Sequence, residues 1–533
     1  MGRRRKTSPP PDPAPGPGAA AWHTRHPRLA LGAVLASFAV LSLLMFDPKP
    51  FVGGDNAAYV ALSRSLAGGT GFSEIWTPQG GPHTQYPFGF PLLLAPFSLA
   101  GAPYAWYKLI PWLSGLLVLA ALWLLLAAGH RAAGALAVLL LAVNPLFLEY
   151  SHWVLSELPF LLSALVTFLV LRRWEERGGH GWLAALVLSA AWTNYVRSAG
   201  IALYAGIFAY LLIRRRYREA GAFIAGCVAL TLPWALRNAH YGTSGGYLEQ
   251  FLMRDPYQPE LGHLGVGGLA VRFSSNLKMY AMQVVPRMLF PAADRWGLSG
   301  VLPLVALLTA APAAAALVAR LARSPAGFDL FAAAYLAMAM LWPEAWCDAR
   351  LLLPLLPLLL FYLVSAYGFA LALLSRGRGR RPAAAAALSL LLAANLAAAW
   401  PGVTGGLSVR REFARDRFAG YDPVWRSFFA AAGWVGRNAP PQAVVVSRKP
   451  SLFHLESGRR SYCYPFTADR DSVLGAVSRA DYVMVEPVSG TTQRYLVPAV
   501  QPLLETRFKV VYAAGDPPTF VLQVLKEPDD EKK

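Results

Sequence analysis

Residues 29–46 read LALGAVLASFAVLSLLMF, and after Asp47-Pro48-Lys49-Pro50 the chain continues FVGGDNAAY at residues 51–59. The first stretch is uncharged and mostly apolar, long enough for a tilted membrane span. A cleaved signal peptide would have a shorter apolar core ending in a small-x-small site. Phe46-Asp47-Pro48-Lys49-Pro50 is a poor cleavage site, so the segment reads as a retained anchor. Similar runs recur near 104–128, 132–148, 154–171, 181–197, 199–213, 220–236, 298–319, 328–343, 351–374 and 383–400, which makes about eleven spans. Residues 88–100 are apolar but short, and suit a helix lying at the membrane surface.

Composition agrees with this reading. Of 533 residues, 55% are hydrophobic and 15% charged, against about 25% charged in a soluble domain. Three cysteines exclude a disulfide-dense scaffold, and no Cys-x-x-Cys pair exists for a zinc site. The net charge of +19 is largely a topology signal rather than a mark of nucleic-acid binding. With a cytoplasmic N-terminus, the inner loops carry fourteen arginines, from Arg131 to Arg381, and the short outer loops carry Arg197 and Arg350 alone. That asymmetry obeys the positive-inside rule. The protein is therefore expected in the cytoplasmic membrane as a multi-pass chain with its C-terminal domain outside.

The expected organisation has three parts. Residues 1–27 form a disordered basic cytoplasmic tail rich in Pro, Ala and Gly. Residues 28–401 form a helical transmembrane bundle with outer loops at 47–103 and 238–297. Residues 402–533 form a small extracytoplasmic α/β domain, with strands at 443–447, 482–486, 508–513 and 519–525 and helices at 423–437, 471–478 and 493–505.

Several polar residues need a reason. Gly53-Gly54 permits a sharp turn before Asp55. Asp55 then reads either as a helix N-cap or as a base at the bilayer surface, and the two are compatible. Glu157 lies inside the apolar run of the fourth span, and an ionisable group there is a functional candidate; the alternative is a structural glutamate, either protonated or arginine-paired. Glu149 is nearer the water and reads as solvated. Trp76 and Phe88 read as interface anchors, and His83 alone is no metal site. Arg197, Glu344, Asp348 and Arg350 occupy other outer turns, so these carboxylates and arginines converge on one end of the bundle. Arginine there suits a phosphate, through the paired hydrogen bonds of its planar fork. In the C-terminal segment Arg448, Lys449 and Tyr464 are candidates for contact with the cavity or the acceptor, against an ordinary reading as surface and core.

The ordered set of motifs resembles the polytopic GT-C glycosyltransferases, in particular bacterial glycosyltransferase family 39 and the aminoarabinose lipid A transferases. It consists of Gly54-Asp55-Asn56-Ala57-Ala58-Tyr59, Tyr86-Pro87-Phe88-Gly89-Phe90-Pro91, Asn144-Pro145, Ser156-Glu157-x-Pro159-Phe160 and Asp348-x-Arg350-x-x-x-Pro354-x-x-Pro357. The similarity covers most of residues 28–400. It implies an enzyme that moves a sugar from a polyprenyl-phosphate donor to a hydroxyl of a lipid, glycan or protein acceptor on the outer face, with inversion. Asp55 would be the activating carboxylate, Arg350 and Arg197 the donor-phosphate ligands, and Tyr59, Tyr86, Glu344 and Asp348 cavity-lining residues. Glu157 would orient the acceptor or hold a divalent cation, a cofactor the resemblance leaves open. Many members have a second acidic residue where this chain has Asn56, which weakens a metal-binding pair and favours base catalysis. The rival readings are a lipid or polysaccharide flippase or transporter, which needs polar groups near the midplane, and a non-enzymatic membrane assembly protein.

Overall fold

The computed structural model describes residues 26–127, 131–242, 247–374 and 380–525. The N-terminal tail, apart from its last residues, lies outside them. The protein is mainly helical, and each expected apolar run contains helix. Six helical runs are long and apolar enough to cross a membrane: Pro27–Met45, Tyr104–Leu126, Tyr217–Tyr241, Leu298–Arg323, Ala349–Leu371 and Ser389–Glu412. Shorter apolar helices include Ala132–Ala142, Ser198–Ile213 and Gly327–Leu341, and the expected short helix is Gly89–Leu99. Glu157–Arg177 packs between Leu109–Leu122 and His180–Val196, and Leu356–Leu374 packs on Arg131–Ala142 and Ala310–Arg323. One large hydrophobic core joins them.

A close approach and a set of hydrogen bonds fix the end of the bundle that carries these turns. A Cβ on Gly89 would lie 2.5 Å from the Tyr195 carbonyl oxygen, so glycine lets the segment after Tyr86 press onto the turn that carries Arg197. The segment between the Tyr217–Tyr241 and Leu298–Arg323 runs is tied down by amide and guanidinium donors. Arg272 Nη1 donates to the Phe251 carbonyl (2.5 Å), and Asn276 Nδ2 donates to the Met340 and Trp342 carbonyls (both 2.8 Å).

The C-terminal strands are β1 (Val444–Val446), β2 (Arg460–Tyr462), β3 (Tyr482–Val485), β4 (Phe508–Ala514) and β5 (Thr519–Val524), in the order β2-β1-β3-β5-β4. β2, β1 and β3 run parallel, while β5 pairs antiparallel with β3 and β4. Alternation along the strands sends Val445, Met484 and Val521 into one core and Val446, Val483 and Leu522 into the other. The first of these cores also takes in Ala57, so the Asp55–Ala67 helix is packed into the C-terminal unit as well as the bundle. The division placed at 401/402 falls inside one helix, Arg380–Glu412, and the sheet unit follows it.

A buried ionic group away from the outer turns escaped the sequence reading. Asp329 is 0% exposed and accepts from Arg320 Nε and Nη2 (2.9 and 3.1 Å), Tyr362 Oη (2.9 Å) and the Ala326 backbone N–H (2.8 Å). It joins Ala310–Arg323, Gly327–Leu341 and Leu356–Leu374. Removing one partner of such a pair strands the other charge, so Asp329→Ala is expected to destabilise the fold by about 3–5 kcal/mol. Denaturant unfolding of the purified chain would show it; an unchanged midpoint would mean that the pair does not hold these helices.

Candidate active site

The site begins at the Gly53-Gly54 turn. Gly54 has φ +100°, a left-handed conformation open to glycine, and it is the N-cap of the Asp55–Ala67 helix. Its carbonyl accepts the Ala57 and Ala58 N–H groups (3.1 and 3.2 Å). Asp55 is thus the first helical residue and not the cap. Its carboxylate makes no capping bond and is engaged elsewhere: Oδ1 accepts from Tyr86 Oη (3.0 Å) and Oδ2 pairs with Arg350 Nη2 (2.8 Å). Burial pushes the Asp55 carboxyl up, but Arg350, Tyr86 and Lys449 outweigh it and hold it below the ordinary carboxylate value.

Arg350 spans two carboxylates. Its Nε donates to Glu157 Oε1 at 2.5 Å while Nη2 holds Asp55. The same Glu157 oxygen also accepts from Arg197 Nη1 (2.7 Å), whose second bond goes to Ser156 Oγ (3.0 Å). The Glu157 side chain is 1% exposed, whereas Arg197, Arg350 and Asp55 keep 20%, 21% and 30% of their surface. Glu157 is therefore arginine-paired, as one of its two readings held, and it aligns both guanidinium groups. Tyr59 Oη reaches Ser156 Oγ (3.2 Å), and its ring packs on Tyr86.

Tyr86 is itself positioned. Its backbone N–H donates to His83 Nε2 (2.8 Å), which leaves the His83 proton on Nδ1, donated to Glu74 Oε1 (2.8 Å). Arg237 holds the same loop through the His83 and Phe72 carbonyls (2.8 and 3.2 Å).

Asp55, Glu157, Arg197, Arg350, Tyr59 and Tyr86 therefore come together from five segments of the chain. Glu344 and Asp348 do not join their ion pairs. Glu344 is exposed, and Asp348 is an N-cap, accepting the Leu351 N–H at 3.2 Å. Tyr464 is core, bonded to Thr491 and Thr492. Asn144 caps Pro145–Tyr150 and ties it to Met288 and Asn395, and Glu149 is exposed.

Sequence reasoning named Ser156 only within a motif and Asn56 only as a departure from an acidic pair, and gave neither its contacts. Asn56 is fully buried, donates to Tyr104 Oη (2.8 Å), and leaves Oδ1 without a partner. Lys449 reaches in from the C-terminal unit, with Nζ on the Gly53 carbonyl at 2.9 Å and Ser451 Oγ on Gly54 at 3.2 Å.

The donor set does not fit a divalent cation. Both carboxylates already share Arg350, and Arg197 and Lys449 add further positive charge. Among the described residues no group of three or more His, Cys, Asp and Glu side chains gathers to bind a metal. The surplus of cations over carboxylates favours an anion.

Comparisons with known proteins agree with this architecture. Residues 86–235 match the family described as dolichyl-phosphate-mannose-protein mannosyltransferase. No curated protein matches the chain by sequence. Among solved structures, ArnT from Cupriavidus metallidurans bound to undecaprenyl phosphate aligns at TM-score 0.55 and 14% identity, over 95% of this chain and 99% of ArnT. The archaeal oligosaccharyltransferase AglB from Archaeoglobus fulgidus, in complex with an inhibitory peptide and a dolichol-phosphate, aligns at TM-score 0.51 and 15% identity, over 87% and 70% of the two chains. The chain therefore shares the fold of ArnT and AglB, and the segment that matches the dolichyl-phosphate-mannose-protein mannosyltransferase family lies in its N-terminal half.

Proposed function

We propose that this protein transfers a sugar from a polyprenyl-phosphate donor to an acceptor hydroxyl at the outer face of the cytoplasmic membrane. The observation that carries the reading is the Arg350 guanidinium shared between Asp55 and Glu157, at 2.8 and 2.5 Å. It joins a carboxylate suited to proton removal to a cation suited to phosphate. The likeness to ArnT, whose structure holds undecaprenyl phosphate, supports a polyprenyl phosphate as the donor's lipid part.

In the free protein Arg350 neutralises Asp55. When a donor phosphate arrives, the Arg350 fork and Arg197 turn their charge to it, and Asp55 regains basicity. The acceptor hydroxyl then gives its proton to Asp55 as its oxygen attacks the anomeric carbon. The bond from that carbon to the phosphate oxygen breaks, and its electron pair leaves on the phosphate, where Arg350 and Arg197 stabilise the growing charge. Direct attack inverts the anomeric centre. Glu157 holds both arginines in register and takes no proton. All eleven apolar helical segments cross the membrane in this reading, with the N-terminus inside and the sheet domain outside.

Asp55→Asn keeps the shape and the Tyr86 contact but removes the base. Turnover of a polyprenyl-phosphate sugar is expected to fall about 100-fold or more, with undecaprenyl phosphate affinity little changed; near-normal turnover would remove Asp55 from the base role. Arg350→Lys keeps the charge and loses the fork. Donor affinity and turnover should both drop, by about tenfold or more, the scale of one hydrogen bond to a charged group.

The depressed Asp55 value sets a sign. The base is ionised above its own value and lost as pH falls through it, so kcat/KM should hold until pH drops below about 4, the ordinary aspartate value. An acid limb near neutrality would point to another base.

Orientation is tested separately. A topology reporter fused after Leu525 should be active outside the cytoplasm, and one after Arg216 inside. The opposite pattern would put the site on the wrong face.

A further inference from the structure

The three parallel strands of the C-terminal sheet end on one edge, where β1 is followed by Ser447, Arg448 and Lys449, β2 by Cys463 and Tyr464, and β3 by Glu486. In open sheets with parallel strands, ligands bind at that carboxyl edge. Here the edge is turned toward the reaction centre. Lys449 and Ser451 hold the Gly53-Gly54 turn next to Asp55. The Arg448 guanidinium sits over the rings of Phe466 (4.8 Å) and Tyr257 (5.5 Å). Tyr257 in turn meets Trp346, four residues before Arg350, at 6.2 Å between ring centroids.

Arg448 is held but not neutralised. Nε donates to Thr491 Oγ1 (2.9 Å), which fixes the plane of the fork, and the Cys463 thiol lies against the guanidinium. Among the described residues no carboxylate pairs with it, and no oxygen takes its two terminal nitrogens. The adjacent acid, Glu486, is fully buried and accepts the Arg448 backbone N–H at 2.6 Å. Desolvation pushes that carboxyl up to about 8, so at neutral pH it is mostly uncharged and leaves the guanidinium uncompensated. A half-buried, stacked guanidinium whose terminal nitrogens carry no oxygen partner is suited to receive a planar or tetrahedral oxyanion.

We infer that Arg448 is an oxyanion subsite for the acceptor, holding a phosphate or carboxylate group on it, with Tyr257 and Phe466 as walls and Thr491 fixing the fork. The donor phosphate is already served by Arg350 and Arg197, so the second cationic position belongs to the other substrate. The inference rests on the glycosyltransferase reading, and it narrows the acceptor from any hydroxyl compound to one carrying an anionic group near its reacting hydroxyl.

The test uses the full-length chain in detergent, first saturated with undecaprenyl phosphate so that Arg350 and Arg197 are occupied. Inorganic phosphate and acetate are then titrated by calorimetry. The loaded protein should bind one of them at a further site, phosphate if the acceptor is phosphorylated and acetate if it is carboxylated. Arg448→Gln should weaken that binding by about tenfold or more and leave undecaprenyl phosphate affinity unchanged. Arg448→Lys, which keeps the charge and the ring contacts, should fall between. Thermal melting of each variant separates loss of the subsite from loss of the fold. The inference is overturned if the loaded protein binds neither anion, or if folded Arg448→Gln binds them as the wild type does. Failure of undecaprenyl phosphate to bind at the first step would instead remove the donor reading.

Discussion

The end of the bundle that holds the site depends on one buried carboxylate. Glu157 is almost completely removed from water, and a charge in such a place is tolerated only when paired and hydrogen-bonded. Arg197 and Arg350 meet that demand from two different turns, both on the same oxygen. The pairing does more than offset desolvation. It fixes two guanidinium forks relative to each other, and through Arg350 it fixes Asp55. The close Gly89–Tyr195 approach, which seats the segment after Tyr86 on the turn of Arg197, and the His83–Tyr86 bond, which holds Tyr86 on Asp55, belong to the same arrangement.

The C-terminal unit is part of that arrangement rather than an appendage. Ala57 lies in its core, and Lys449 and Ser451 bind the carbonyls of the two glycines before Asp55. The helix that opens with Asp55 is therefore clamped from both sides. Its N-terminal residue can hold its carboxylate toward Arg350 and Tyr86 because the turn itself is anchored from above.

Much of this was legible in the sequence, for identifiable reasons. Long apolar runs mark helices through composition alone, and four of the five strands announced themselves as Val-rich or aromatic stretches. β2 did not: Arg460-Ser461-Tyr462 is short, has no apolar run, and becomes a strand by pairing with β1. The convergence of Asp55, Glu157, Arg197 and Arg350 was legible because ionisable groups are rare in such a chain, so those at one end stand out. Their partners were not. Arg350 and Glu157 lie 193 positions apart, and nothing local says which carboxylate an arginine will choose. For the same reason the capping role of Asp348 on its own helix was not foreseen, and of the two readings of Asp55, cap and base, the cap is the one its carboxylate does not fill. Asp329 was overlooked because its pairing with Arg320 and Tyr362 depends on how three helices pack.

The uninterrupted helix Arg380–Glu412 has a mechanical meaning. At 33 residues it is a strut about 50 Å long, and a turn-rich connection at 413–422 joins it to the Pro423–Asn438 helix of the sheet unit. That connection is itself tied, by Tyr421 Oη on the Pro50 carbonyl (2.7 Å) and by Asp416 on Arg426 (2.6 Å). Any flexing concentrates at Pro401, inside the strut, where one backbone hydrogen bond is missing. Because Tyr421, Lys449 and Ser451 all grip the Pro50–Gly54 segment, a tilt of the unit about that proline is carried straight to the turn before Asp55.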